Sequence, residues 1–329
     1  MNFFIIGLGS MGRRRIRCLQ SLGYKDIYGF DKNIQRIHNA EKTYSIKKTN
    51  NVIDFLKVKK VDAIIICTSP ESHSEYIKIG IDFSINCFVE ASVTDKEKIK
   101  EFSEIANQKN IFIAPSCTKT YYPAPKLIKK ILEENNFGEL LYFNYSTGQY
   151  LPDWHPWENI SEYYVSKTET GGCREIVPFE LTWLNKLFGN PKILNCIKRR
   201  TGFINAPIDD YYNFVLEYPK NLIGNIIVEV LSRPNAHSDL RITASKGQLK
   251  YDQENNIINF SLINGIKKSI NISEGEKEPG YINPEGPYIS EINDFIKALE
   301  NNNTDLFPNN LESDYEVLNY LSELEKISK

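Results

Sequence analysis

The sequence is poor in the features that mark metal centres, membrane spans and secreted proteins. Its six cysteines include no C-x-x-C pair, and its four histidines add no spacing typical of metal ligands. No apolar run approaches the roughly 20 residues that a membrane helix needs. The first residues enter an apolar strand without the basic segment of a signal peptide. We therefore expect a soluble, cytoplasmic protein with reduced thiols, no metal and no membrane partner.

The chain also lacks an excess of charge of either sign. Its 40 basic and 42 acidic residues leave a net charge of −2, so no broad field favours nucleic acid as a partner. Apolar residues make up 41% of the chain and charged residues 25%, which is ordinary for a globular protein. A length of 329 residues suits two domains.

Strands alternate with amphipathic helices over the first 120 residues. The apolar runs NFFIIG and VDAIIIC are typical of strands buried on both faces. We predict an α/β fold that begins with a Rossmann domain, a doubly wound parallel sheet, over residues 1–120. Polar and apolar residues alternate in later segments such as YYNFVLEY, which predicts an α+β domain with a large open, mostly antiparallel sheet over residues 121–329. The last helix could pack back on the first domain.

GLGSMG is a G-x-G-x-x-G motif between the first predicted strand and a helix, the context that makes it a dinucleotide fingerprint. Gly7 permits a tight turn, Gly9 lets the backbone approach a pyrophosphate, and Gly12 lets helix and strand pack closely. With Ser10 and Met11 they form the predicted phosphate site, at a helix N-terminus that favours negative charge.

Asp31 ends the second predicted strand, where a carboxylate can accept the ribose hydroxyls of the cofactor. A carboxylate there repels a 2′-phosphate, so NAD is favoured over NADP. The alternative role for Asp31 is that of a helix N-cap. Arg13 and Arg14 could face phosphate or lie on a solvated helix face.

Several segments together resemble the glucose–fructose oxidoreductase/inositol dehydrogenase (Gfo/Idh/MocA) family over nearly the whole chain. CTSPESH matches its Thr-Pro-x-x-x-His pattern, FVEAS stands in place of its Glu-Lys-Pro, and GGCREIVPFELTW in place of its Gly-Gly helix. The resemblance implies that Thr68, Pro70 and His73 lie near the nicotinamide and that Glu90 holds the cofactor geometry. It also implies a homodimer or homotetramer. GQYLPDWHPWE resembles a branch associated with nucleotide-linked and amino sugars.

Two positions depart from the family pattern. The family's lysine, which hydrogen-bonds the reacting hydroxyl, is replaced by Ala91, and its general acid/base histidine by Phe179. The helix aspartate position reads Glu175 and the second helix acid reads Thr182. Neither alanine nor phenylalanine can transfer a proton, so the usual mechanism cannot run unchanged.

Three residues are candidate replacements in catalysis. Glu175 could act as the base if burial raises its pKa. His155 lies in the loop rich in aromatics and prolines, and Lys119 follows the sixth predicted strand and could supply the missing ammonium. Two of them have a structural alternative: capping or an ion pair for Glu175, anchoring of the loop for His155.

Substrate contacts are predicted from the same segments. Arg174 could bind a carboxylate or phosphate of the substrate, or pair with an acid of the protein. Trp154 offers a flat face for a sugar or base, and Tyr150 and Tyr122 offer hydrogen-bond donors.

The sequence thus predicts an NAD(H)-dependent oxidoreductase that acts on a hydroxyl or keto group of a sugar. A nucleotide-linked or amino sugar of glycan biosynthesis is the expected substrate. Two alternatives stay open, both motivated by Ala91 and Phe179: an NAD-binding subunit or sensor without catalysis, and an enzyme that uses NAD transiently without net redox chemistry.

Overall fold

The computed structural model describes residues 1–91, 93–154, 159–162, 164–273, 275–281 and 283–328. The chain forms two compact units. The first contains residues 1–118 and 275–316, and the second contains residues 119–274 and 317–329. Residues 275–316, which sequence analysis assigned to the second domain, have their contacts in the first unit.

The first unit is built on a parallel sheet of six strands in the order β3-β2-β1-β4-β5-β6, the order of a Rossmann fold. Its strands are β1 (Phe3–Ile6), β2 (Ile27–Phe30), β3 (Lys47–Lys48), β4 (Ala63–Ile66), β5 (Asn86–Val89) and β6 (Ile113–Pro115). The helices between them are α1 (Ser10–Ser21), α2 (Ile34–Tyr44), α3 (Val52–Val58), α4 (His73–Asp82) and α5 (Lys96–Lys109).

Burial of the central strands explains the layered arrangement. Every residue of β1 and of β4 is buried, as their apolar runs predict. The chain order reverses between these two strands, and sheets of this kind bind ligands in the crevice at the carboxyl ends of the strands at that point.

The second unit is built on an eight-stranded sheet in the order β14-β13-β12-β11-β7-β10-β9-β8. Its strands are β7 (Leu140–Gly148), β8 (Lys192–Arg199), β9 (Tyr211–Tyr218), β10 (Leu222–Glu229), β11 (His237–Ala244), β12 (Gly247–Asp252), β13 (Ile257–Leu262) and β14 (Lys267–Asn271). In chain order, helix α6 (Pro123–Glu134) precedes β7, and helix α7 (Cys173–Phe188) lies between β7 and β8. The C-terminal helices are α8 (Gly286–Glu300) and α9 (Leu311–Ile327), and the division between the units falls within α9.

Pairing in the second sheet is antiparallel except between β7 and β10, which run parallel. β9 shows the alternation that the sequence predicts, since every second residue is buried. The predicted fold class, a Rossmann sheet followed by a mostly antiparallel sheet, is therefore confirmed.

The elements β3, α3 and β14 were not predicted from the sequence. The strands β3 and β14 are short. Strand β3 consists of two lysines, neither of which is buried. Such edge segments carry little of the apolar periodicity on which sequence prediction depends. No helix in the described ranges is long and apolar enough to cross a membrane.

The arginines of α1 attach residues 275–316 to the first unit. Arg14 is 3% exposed, its Nε lies 2.9 Å from Oε1 of Glu285, and its guanidinium carbon lies 4.0 Å from the ring centroid of Tyr288. Neither expectation for Arg14, a phosphate contact or a solvated face, is correct, because the side chain is enclosed by these residues. Its neighbour Arg13 keeps a half-exposed position.

Arg15 forms a second cluster, in which its own side chain and that of Glu291 are fully buried. Its Nε lies 2.6 Å from Oε1 of Glu90, and its Nη2 lies 2.8 Å from Oε2 of Glu291 in α8. One guanidinium therefore joins the helix after β1, the residue after β5 and a C-terminal helix. Taking charges out of water is costly, so each of them depends on its partners.

Arg15→Met should lower the free energy of unfolding by about 3–5 kcal/mol, because the fully buried Glu291 and the half-buried Glu90 would be left without their cation. Arg13→Met removes a half-exposed arginine of the same helix and should cost within about 0.5 kcal/mol. Urea unfolding of both variants, followed by circular dichroism, measures the difference. Equal losses in the two variants would contradict this role of Arg15.

Candidate active site

Two glycines of the motif after β1 are required by the packing of the protein itself. Gly7 has a φ of +91°, and a Cβ at this position would lie 2.6 Å from the carbonyl oxygen of Cys67. A Cβ on Gly12 would lie 1.9 Å from the carbonyl oxygen of Gly7. The tight turn and the close helix packing that the motif predicts are thus both present.

Gly9 differs from them, since the protein leaves room for a side chain there. Its φ of −69° suits any residue, and a Cβ added at this position would have Nη1 of Arg36 as its nearest neighbour, at 3.7 Å. Gly9 is also the N-cap of α1, and it has no side chain with which to cap that helix. Open space above the backbone, beside a helix N-terminus with amide groups to satisfy, fits the pyrophosphate of a dinucleotide.

Asp31 follows β2 and holds the same loop. Its Oδ2 accepts a hydrogen bond of 2.7 Å from the amide of Leu8, and its Oδ1 accepts one of 2.8 Å from the amide of Asn33. The N-cap of α2 is Asn33, whose side chain accepts from Gln35, so Asp31 is not the cap. Each carboxylate oxygen has a further lone pair, which suits ribose hydroxyls.

The residues after β4 present an unsatisfied hydroxyl. The Oγ1 of Thr68 is buried and has no hydrogen-bond partner among the described residues. Nε2 of His73 lies 3.0 Å from the carbonyl oxygen of Thr68, and Pro70 begins a short 3-10 turn between them. His73 is buried, which lowers its pKa. This histidine therefore supports the loop in its neutral form, while Thr68 keeps a donor for a ligand.

Glu90 is held by the first unit. Besides its contact with Arg15, its Oε1 lies 3.8 Å from Sγ of Cys67. Ala91 is half-buried, and Ser92 lies outside the described residues. The open backbone at Gly9, the carboxylate of Asp31 and the orphaned hydroxyl of Thr68 together fit a dinucleotide.

Glu175, in the first turn of α7, is the most perturbed candidate of the second unit. The residue is 9% exposed, and its Oε1 accepts a hydrogen bond of 2.7 Å from the hydroxyl of Tyr164. Burial raises the pKa of Glu175 to about 7, and the bond from Tyr164 opposes that rise. Oε2 is buried and has no partner within the described chain. Such a carboxyl can take up or give a proton near neutral pH.

Lys119 is engaged by Glu180, a buried acid of the same helix as Glu175. Its Nζ lies 3.2 Å from Oε1 of Glu180, while Oε2 of Glu180 accepts from Tyr145 at 2.6 Å and from Nε1 of Trp183 at 2.7 Å. The lysine side chain is 26% exposed. Glu180 was not predicted from the sequence, although an acid inside the apolar run IVPFELTWL is a signal of a buried polar contact.

Arg174 pairs with an acid of the protein, which is the alternative to the predicted substrate contact. Its Nε lies 2.7 Å from Oε1 of Glu325, and its Nη1 donates to the carbonyl oxygen of Glu169. A substrate contact of this guanidinium stays a prediction. Phe179 and Thr182 stand at two positions that depart from the family pattern. Phe179 is half-buried, and the hydroxyl of Thr182 donates a hydrogen bond to the carbonyl oxygen of Pro178 within the helix.

The aromatic loop is only partly described. His155 and Trp157 lie outside the described residues, so the proposed acid/base role of His155 stays a prediction. Trp154 ends a 3-10 turn, and its Nε1 is buried with no partner among the residues that the structure describes. The guanidinium carbon of Arg233 lies 4.0 Å from the ring centroid of Tyr150. Tyr122 is the N-cap of α6, and Nζ of Lys119 lies 5.7 Å from its ring centroid.

Family models match both parts of the chain. Residues 1–115 match the model described as an oxidoreductase family with an NAD-binding Rossmann fold, and residues 126–250 match the Gfo/Idh/MocA C-terminal domain. A comparison with curated proteins found no match.

Solved structures share the fold at low identity. UDP-N-acetylglucosamine 3-dehydrogenase from Acidithiobacillus ferrooxidans is 14% identical, with a TM-score of 0.78 over 100% of this chain and 97% of that one. Levoglucosan dehydrogenase, solved with NADH and levoglucosan, is 15% identical, with a TM-score of 0.82 over 99% and 96%. An oxidoreductase from Agrobacterium radiobacter, solved with NAD⁺, L-tartaric acid and magnesium, is 11% identical, with a TM-score of 0.84 over 98% and 94%.

Gly9→Ala should keep the fold and weaken NAD binding by about 10-fold or more, because the new methyl group occupies the space where the backbone meets the pyrophosphate. Fluorescence titration with NADH measures the affinity, and thermal unfolding without cofactor measures the fold. Gly12→Ala is the comparison, since its clash with Gly7 should lower the unfolding temperature itself. An unchanged NADH affinity in Gly9→Ala would contradict this placement of the pyrophosphate.

Proposed function

Since the chain belongs to the Gfo/Idh/MocA family of NAD-binding oxidoreductases, we propose that it oxidises or reduces a hydroxyl or keto group of a sugar, with Glu175 as the acid/base. The expected substrate is a nucleotide-linked or amino sugar. The observation that carries the proposal is the buried Glu175 carboxyl, which has a pKa of about 7 and one oxygen without a partner in the described chain.

The first unit would hold the cofactor with Gly9, Asp31 and Thr68. The pyrophosphate would lie over Gly9 at the N-terminus of α1, and the ribose hydroxyls would bind Asp31. A negative carboxylate at this position disfavours a 2′-phosphate, so NAD is preferred to NADP in this proposal. Thr68 would donate a hydrogen bond from its unsatisfied hydroxyl to the bound cofactor. When bound, NAD⁺ supplies the acceptor for a hydride from the carbon that carries the hydroxyl group.

Glu175 would take the proton of the reacting hydroxyl through Oε2. Tyr164 binds the other oxygen, so it orients the carboxyl and stabilises its ionised form. A base with a pKa near 7 is half ionised at neutral pH, where it balances proton affinity against availability. In the reducing direction the protonated carboxyl would return the proton.

Lys119 is the proposed source of positive charge in place of the missing lysine. Glu180 holds its ammonium at 3.2 Å and leaves other N–H donors of the same group for an oxygen of the substrate. A hydrogen bond from a cation stabilises the alkoxide that develops as the hydride leaves. His155 remains an alternative acid/base in the aromatic loop.

The sugar specificity rests on two lines of support. The loop around Trp154 and Tyr150 has aromatic faces suited to sugar rings or bases. In addition, two proteins of the same fold act on UDP-N-acetylglucosamine and on levoglucosan, as their names state.

Assembly and location are further parts of the proposal. One face of the second sheet carries half-buried apolar residues, Val215, Ile223 and Ile227, between polar ones. Such a surface fits pairing of two copies into a homodimer or homotetramer.

The six cysteines form no disulfide with one another in the described chain, which fits the reducing cytoplasm.

NADH absorbance after addition of a panel of sugars and nucleotide sugars tests the proposal. We expect turnover of at least one of them and a fall in kcat of about 10²–10⁴ in Glu175→Gln, because the base is lost while the shape of the side chain is kept. The matched control is Asp314→Asn. Asp314 is another buried carboxyl whose pKa burial raises to about 7, but it belongs to α9, which carries none of the candidate site residues, and its loss should leave kcat nearly unchanged.

Three results would count against the proposal in different ways. An unaffected kcat in Glu175→Gln would place the base elsewhere. Binding of NADH without turnover across the panel would favour the non-catalytic subunit or sensor, the alternative that Ala91 and Phe179 motivate. A modified sugar without net NADH formation would favour transient use of NAD.

A further inference from the structure

An arginine and two aromatic rings form an exposed cluster in the second unit. The guanidinium carbon of Arg233 lies 4.0 Å from the ring centroid of Tyr150 and 5.3 Å from that of Phe203, and the two centroids are 6.0 Å apart. We call these three residues the Arg233 cluster. Arg233 is exposed, and 57% of the surface of Phe203 is accessible.

The charge of this cluster has no partner within the described residues. Arg14, Arg15, Arg17 and Arg174 all have a carboxylate within 3.0 Å, whereas Arg233 has no ion pair to any described acid. Its guanidinium instead lies over an aromatic face, an arrangement that leaves its edge N–H groups available to an anion. The exposed ring of Phe203 and the unpaired guanidinium of Arg233 are both accessible to a ligand.

Backbone hydrogen bonds connect the cluster to the N-terminus of α7, all within the second unit. The amide of Leu151 donates to the carbonyl oxygen of Val230, and the amide of Val230 donates to that of Asp210. The preceding residue, Asp209, accepts from the amide of Cys173 at the start of α7. Tyr150 and Arg233 therefore stand at the same end of this unit as Glu175.

A second orphan group extends the cluster toward the aromatic loop. The amide of Asp153 donates to the carbonyl oxygen of Tyr150, and the next residue is Trp154, whose buried Nε1 has no partner among the described residues. A guanidinium suits phosphate oxygens, because it can donate two parallel hydrogen bonds. Flat aromatic faces suit a nucleobase, whose stacking needs no particular sequence of donors.

We propose that the Arg233 cluster binds the nucleoside diphosphate part of a nucleotide-linked sugar substrate, with Arg233 on the phosphates and Phe203 and Tyr150 against the base. The inference rests on the proposed function, because it names the substrate class for the site that contains Glu175. A free sugar has neither phosphate nor base, so it would gain nothing from these residues.

The test is calorimetric titration with UDP in the presence of saturating NAD⁺, so that the dinucleotide site of the first unit is filled. Arg233→Met should weaken UDP binding by about 10- to 100-fold, since it removes a charge-assisted hydrogen bond to phosphate. Arg233→Lys should recover part of the affinity, because it keeps the charge but loses the planar fork. With a turned-over nucleotide sugar, KM should rise while kcat changes little.

Lys268→Met is the matched control. Lys268 is an exposed cation whose Nζ lies 6.0 Å from the ring centroid of Phe260, but it belongs to the edge strand β14. This substitution should leave UDP affinity unchanged. Because Arg233 is exposed, an unchanged unfolding temperature is expected in its variants and shows that affinity alone was altered.

The inference and the proposed function fail in distinguishable ways. Absence of UDP binding to the wild type, or equal affinity in Arg233→Met and Lys268→Met, would overturn the role of the Arg233 cluster even if a free sugar is oxidised. UDP binding that depends on Arg233, without turnover of any sugar nucleotide, would support the cluster and contradict the redox function.

Discussion

The buried contact of Arg15 with Glu90 and Glu291 is the constraint on which the arrangement of the first unit depends. Burial raises the pKa of Glu291, and the guanidinium opposes that rise, so the three charges are stable only together. Through them α1, which begins at the glycine-rich loop, is fixed to the end of β5 and to α8. The position of α1 therefore depends in part on a residue far along the chain, since Glu291 is 276 positions after Arg15.

A different balance governs the second unit, where Glu175 is buried without a cation among the described residues. Glu180, five positions later, is neutralised by Lys119 and satisfied by Tyr145 and Trp183. Glu175 accepts a hydrogen bond from the hydroxyl of Tyr164, and its other oxygen is unpaired within the described chain. Two acids of one helix thus have opposite environments, and such a contrast separates a structural carboxylate from one able to exchange protons.

The sequence predicts best those features whose cause is local. The roles of Gly7 and Gly12 follow from their spacing after a strand, and the alternation in β9 follows from its residues alone. The fold class, the family and NAD as the cofactor were predicted from such local patterns, and all three are confirmed. The partners of Arg14, Arg15 and Lys119 could not be predicted, because each ion pair joins positions that only the tertiary structure brings together. The strand β3 escaped prediction because neither of its residues is buried, and α3 because its seven residues are too few to show a clear helical period. For Glu175, the sequence suggests a titratable residue, but its burial and its unpaired oxygen require the structure.

The central claim is that Glu175 replaces the acid/base lost at Phe179, and the pH dependence of kcat for sugar oxidation tests it most directly. Only the ionised carboxyl can accept the proton, so the rate should rise with pH through an apparent pKa of about 7. In Tyr164→Phe the loss of the hydrogen bond that lowers the pKa should shift this rise to higher pH. A rate that does not respond to pH near 7, or a profile that is identical in Tyr164→Phe, would contradict the account.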